Sequence, residues 1–98
     1  MSEESITEDE RTALLAAGWA IDNNGDWAKW MSKWLTLILS QSVGEIIDGH
    51  YIDKLVWVWV VFDYGSDHAH AHGANRSIVD AAQCAQLEGA KILKEMTR

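Results

Sequence analysis

The chain is short of the residues that most often announce a chemistry. Cys84 is its only cysteine in 98 residues, which excludes an internal disulfide and a cysteine zinc site. Basic residues are scarce, 8 against 15 acidic ones, for a formal net charge of −7. That balance disfavours direct binding to nucleic-acid phosphates and attraction to a membrane surface. No apolar run approaches the roughly 18 residues that suggest a membrane-spanning helix. The stretch from Met1 to Glu4 does not read as a signal peptide, so a cytoplasmic location is expected. A glycine-rich phosphate loop, a serine nucleophile motif and a paired-carboxylate signature are all missing. The expectation is therefore a protein that is not an enzyme and carries no cofactor.

What is present is apolar and aromatic. Hydrophobic residues make up 48% of the chain and six of them are tryptophan, which argues for one folded domain. An acidic arm over residues 1–6 is expected to precede a single domain over 7–98. The acids cluster: five lie between Glu3 and Glu10. Glu45, Asp48, Asp53, Asp63 and Asp67 flank a second, strongly apolar region.

Three helices are expected. Thr7 followed by Glu8, Asp9 and Glu10 has the form of a capping box. It would open a helix to about Ile21, with Leu14, Ala17, Gly18 and Ile21 on one side. Asp22 to Gly25 would break it. Asp26 would then cap a second helix to about Gln41, because Trp27, Trp30, Met31, Trp34, Leu35 and Ile38 follow helical spacing. Ser77, with Asp80 three residues on, starts a C-terminal helix to about Met96. Its stripe of Ile78, Ala81, Ala82, Ala85 and Gly89 is small in the middle, as suits close approach to a sheet.

Between the helices, Leu55 to Asp63 alternates as a strand buried on both faces. Gly65-Ser66 suits a two-residue hairpin turn with glycine first, the type II′ pattern. Asp48-Gly49 suits either a type I′ turn joining a short strand, Glu45–Ile47, to the long one or an irregular connection. A loop centred on Gly65-Ser66 sets Asp63 opposite His68, Val61 opposite His70 and Trp59 opposite His72. The other side then pairs Phe62 with Ala69, Val60 with Ala71 and Val58 with Gly73. The expected fold is α+β: two N-terminal helices, a small antiparallel sheet of two or three strands, and the C-terminal helix packed on the side of the small residues.

On that register Trp57, Trp59, Val61, Asp63, His68, His70 and His72, with Asp67 beside them, share one side. The two N-terminal helices either cover that side, burying the tryptophans, or leave it open as a candidate partner-binding face. Tryptophan framed by charge suits a protein interface, and the acidic balance suits a partner with a basic surface. His68, His70 and His72 also offer His-x-His spacing, about 6.5–7 Å between successive rings along a strand, which can chelate a metal. Asp63 opposite His68 would favour the charged imidazole and allow a pH-sensitive contact.

In size and charge the chain resembles phage-encoded inhibitors of bacterial defence nucleases, including anti-CRISPR proteins, and toxin-neutralising immunity proteins. The segment from Trp57 and Trp59 through Ser77 and its alanine-rich helix resembles HicB-type small domains over about 40 residues, without the DNA-binding segment that follows in them. The first resemblance implies a non-enzymatic inhibitor that binds another protein; the second implies a homodimeric, antitoxin-type domain. A metal-binding histidine strand is the third reading.

Overall fold

The computed structural model describes residues 6–23 and 25–96. Its elements run α1 (Glu8–Ala16), β1 (Ala20–Ile21), β2 (Trp27–Trp30), β3 (Leu35–Ile47), β4 (His50–Asp63), β5 (His68–Asn75) and α2 (Ile78–Met96). The five strands form one antiparallel meander in sequence order. The expected α+β class with two N-terminal helices and a sheet of two or three strands is thereby corrected. There is one short N-terminal helix, and the segment read as the second helix is a β-hairpin.

Local chemistry explains both changes. Thr7 and Glu10 close the capping box: the Thr7 hydroxyl accepts from the Glu10 N–H at 3.1 Å, and the Glu10 carboxylate accepts from the Thr7 N–H at 2.9 Å. The helix then stops at Ala16 rather than Ile21. Gly18 sits at φ +99, and the Gly18 and Trp19 N–H groups donate to the carbonyls of Leu15 and Leu14. This is the two-bond C-terminal cap for which glycine is favoured because it has no Cβ. Leu14 and Trp19, brought together by it, are both buried.

The expected second helix fails at Ser32. Its hydroxyl accepts from the N–H groups of Trp34 at 3.3 Å and Leu35 at 3.2 Å, and the Met31 N–H donates to the Leu35 carbonyl. A tight turn results, and short polar side chains that bond nearby backbone favour turns over helix interiors. Beyond it Leu35, Leu37 and Leu39 alternate as fully buried strand residues. The helical spacing of Trp27, Trp30, Met31, Trp34, Leu35 and Ile38 thus overlays a period of two that begins at Leu35.

The sheet has an inner and an outer face. On the inner face, register aligns Trp27 with Leu39, Leu37 with Val61 and Leu39 with Trp59. These side chains form the core with Leu14, Trp19 and the small stripe of α2. The helix N-terminus is capped as expected: Ser77 Oγ accepts from the N–H groups of Val79 and Asp80. Small residues meet large ones across the core. A Cβ on Gly89 would fall 2.7 Å from Leu37 Cδ2, and one on Gly73 would fall 2.6 Å from Trp59 Cζ2. Interiors are packed to crystal-like density, so such complementarity fixes how α2 lies on the sheet.

β3 and β4 extend past the core as a long hairpin. Asp48 and Gly49 both have positive φ, +54 and +81, as the expected type I′ turn requires. Glu45–Ile47 is therefore the end of β3, not a separate strand. The register slips between Val43 and Glu45, where Gly44 stands at φ +82 and a Cβ would fall 2.7 Å from the Tyr51 hydroxyl. The expected acidic arm over residues 1–6 lies outside the described residues apart from Ile6, which packs against the core. Among the described residues no helix is long and apolar enough to cross a membrane.

Candidate functional site

The register between β4 and β5 decides which side of the sheet is available. Asp63 pairs with His68, as a loop centred on Gly65-Ser66 predicts. The loop is the four residues Tyr64 to Asp67, with positive φ at Asp67 rather than at Gly65, and not a two-residue type II′ turn. One residue later the ladder shifts: Phe62 pairs with Ala69, but Val61 pairs with Ala71. His70 is the extra residue of a β-bulge, which moves everything after it by one position. Trp59 therefore faces Gly73 rather than His72, Val60 faces His72 rather than Ala71, and Val58 faces Ala74 rather than Gly73.

This overturns the expected binding face. Trp57 and Trp59 are 7% and 8% exposed and Val61 is fully buried, all in the core under α2. The three histidines are split. His72 lies on the outer face, while the His68 and His70 rings meet edge to face with centroids 5.1 Å apart near the turn. Asp67, at φ +56, belongs to that turn. So of the eight residues expected to share one surface, Asp63, Asp67, His68 and His70 cluster at the β4–β5 turn and the other four do not join them.

Asp63 is the hub of that cluster. Its Oδ1 accepts from the Gly65 N–H at 2.8 Å and the Ser66 N–H at 3.4 Å, and its Oδ2 accepts from the Ser66 hydroxyl at 3.0 Å. His70 Nε2 lies 3.3 Å from the same Oδ2. Burial acts to raise the Asp63 pKa, but the bonds from Ser66, His70 and the two backbone N–H groups outweigh it and hold the carboxyl below its ordinary value. The pairing that sequence placed between Asp63 and His68 is made by His70. The carboxylate fixes the turn; among the described residues no three His, Cys, Asp or Glu side chains are grouped to hold a metal ion.

The outer face is where apolar surface remains uncovered. Its β4 row is the half-buried Val58, Val60 and Phe62, flanked by Ile38 on β3 and Trp30 on β2, while Val56 at the end of the row is fully buried. Trp30 is 57% exposed and Tyr64 51% exposed. Their rings stack at 5.4 Å between centroids, and Phe62 meets Tyr64 edge-on at 4.7 Å. This aromatic ridge crosses one end of the face and covers Thr36, which is buried and donates its hydroxyl to the Lys29 carbonyl.

At the other end the β3–β4 hairpin approaches β5. Gly44, Glu45 and Ile46 face Val58, His72 and Ala74 across a hollow of about 400 Å³. Glu45 is held there by the Ser42 hydroxyl at 2.7 Å. Between ridge and hollow, the outward positions of β2, β3 and β4 from Trp30 to Val56 carry no Asp, Glu, Lys or Arg. The acids of this region stand in the turns and the hairpin, Asp22, Asp26, Asp48, Asp53, Asp63 and Asp67, with Glu45 at the wall of the hollow. A smaller hollow of about 170 Å³ between α1 and α2 is lined by Leu14, Trp19, Ala82 and Gln86, with Gln86 Oε1 accepting from Trp19 Nε1 at 2.9 Å. It holds no acid, base or nucleophile.

Sequence reasoning missed Trp30, Ile38 and Tyr64 and assigned Val58, Val60 and Phe62 to the helix-covered side. The usable signal was size. A helix stripe of alanine and glycine needs large partners, and Trp57 and Trp59 are larger than the valines of the other row. Comparison with protein-family models, with curated proteins and with solved structures returns no match for this chain.

Proposed function

We propose that this chain is a non-enzymatic protein-binding module that works through the outer face of its sheet. One observation carries the reading: a contiguous, uncharged surface of Trp30, Ile38, Val58, Val60, Phe62 and Tyr64 that neither helix covers. Apolar patches of this extent are uncommon on monomers and mark interaction sites. Aromatic enrichment with depletion of charge is the composition of an interface core rather than of a solvated surface.

The electrostatics support the same reading. Acids in the surrounding turns keep the molecule soluble and bias its approach to partners, while the centre of the face offers nothing for a charged ligand to bind. The Asp63 cluster near the β4–β5 turn has its hydrogen bonds satisfied within the turn, so it acts as a structural support.

Site-directed photocrosslinking in the producing cell tests this. A benzophenone side chain at Val60, in the middle of the face, should form a covalent adduct with a protein. The same group at Gln83, exposed on α2, should form none. Equal labelling at both positions, or none at Val60, would overturn the proposal.

A further inference from the structure

We infer that the partner on the outer face is a second copy of this chain, docked face to face. This deepens the reading above and rests on it. Three features of the face point to self-association.

The first is charge. A chain of net charge −7 repels its own copies, and the outward row between ridge and hollow is the surface on which that repulsion has no local source. A strongly basic partner would gain little there, because the acids stand in the turns around it.

The second is area. β3, β4 and β5, spaced about 4.8 Å apart over the seven residues from Trp57 to Asp63 at about 3.4 Å each, with the four residues of β2 beside them, present about 400 Å². Two such faces bury about 800 Å² in flat contact, against the roughly 1,000 Å² of a specific interface, and the exposed halves of Trp30 and Tyr64 add to it. Seating the ridge more deeply than flat contact would raise that figure.

The third is shape. The Trp30–Tyr64 ridge stands proud at one end, and the hollow of about 400 Å³ beside Val58 and Ala74 lies at the other. A two-fold axis lying between the two sheets, midway between ridge and hollow, sets each ridge into the other copy's hollow. Self-complementarity of this kind is what an isologous contact requires. Sheets packed in this way stand about 10 Å apart, with Val60 near the centre.

Sedimentation velocity over a wide concentration range tests the inference on the purified chain. The wild type should pass from monomer to dimer with a dissociation constant in the micromolar range. Val60→Lys should stay monomeric at every concentration while keeping its circular dichroism spectrum. Trp30→Ala, at an exposed position, should weaken the dimer at least about tenfold, and Ala74→Phe, which fills the hollow, should do the same without touching the ridge. A wild type that stays monomeric overturns the inference, as does a dimer that neither Val60→Lys nor Trp30→Ala affects. The photocrosslink separates the two levels. A monomer whose Val60 probe captures a different protein removes the second copy and leaves the working surface standing; a monomer without an adduct removes both.

Discussion

Replacing Gly73 by alanine tests the β4–β5 register at a single atom. An ideal Cβ there lies 2.6 Å from Cζ2 of Trp59 and 2.7 Å from its Cε2 and Nε1. Carbon contacts settle near 3.5–4.0 Å, so the indole must retreat by about 1 Å. It has nowhere to go, since Trp59 is 8% exposed and lies among the core side chains. Overpacking of this kind costs about 1–3 kcal/mol. Removing a strand glycine returns about 0.5–1 kcal/mol, leaving a net loss of up to about 2.5 kcal/mol, with the mid-range values giving about 1.3 kcal/mol. For a domain of this size the mid-range loss lowers Tm by about 5–10 °C. His72→Ala, one residue away but facing outward, should change stability by no more than about 0.5 kcal/mol. Thermal unfolding followed by circular dichroism reads both. In a ladder without the bulge, Gly73 would face Val58 on the open side, where an added methyl is harmless. A Gly73→Ala protein whose Tm matches wild type would therefore refute the bulge at His70 and the assignment of faces built on it.

Two further variants probe the core and the turn. Leu37→Ala empties a fully buried site against Gly89 and should destabilise by about 2–5 kcal/mol, read as a lower urea midpoint; a loss below about 1 kcal/mol would mean α2 does not seat there. Asp63 has a folded-state pKa below its ordinary value, so it stabilises the fold above the unfolded pKa of about 3.9 and loses that contribution as pH falls through the folded value. The urea midpoint of Asp63→Asn should thus lie below wild type at pH 7 and converge with it under more acidic conditions; a gap that stays constant with pH would show that the carboxylate's charge has no part in holding the turn.

How much of this was legible in the sequence varied by element. The capping box at Thr7, the cap at Ser77, the turn at Asp48-Gly49 and the backbone register of Asp63 with His68 are set by residues within a few positions of one another. Local chemistry was enough to read them. The stretch from Trp27 to Ile38 was misread because aromatic residues at spacings of three and four satisfy a helical pattern and also punctuate a hairpin. The Ser32 turn and the Leu35, Leu37, Leu39 alternation decide between the two. The candidate face failed for a different reason. The bulge at His70 has no local signature, and one inserted residue exchanges the faces of everything beyond it. Its cause is tertiary: Ala71 and Gly73 must face inward with Val61 and Trp59 so that the indoles fit beneath α2. Pairing the small stripe of α2 with large sheet residues, rather than with other small ones, is the rule that would have chosen correctly.

Val58, Val60, Phe62 and Trp30 face outward while Trp57 and Trp59 lie under α2. Hydroxyl-radical footprinting of the dilute protein, read by mass spectrometry, measures this for all six tryptophans together. Strong labelling is expected at Trp30 and Trp34, which are 57% and 51% exposed, and protection at Trp19, Trp27, Trp57 and Trp59. Labelling of Trp57 and Trp59 with protection of Trp30 would contradict this arrangement and return the working surface to the opposite side of the sheet.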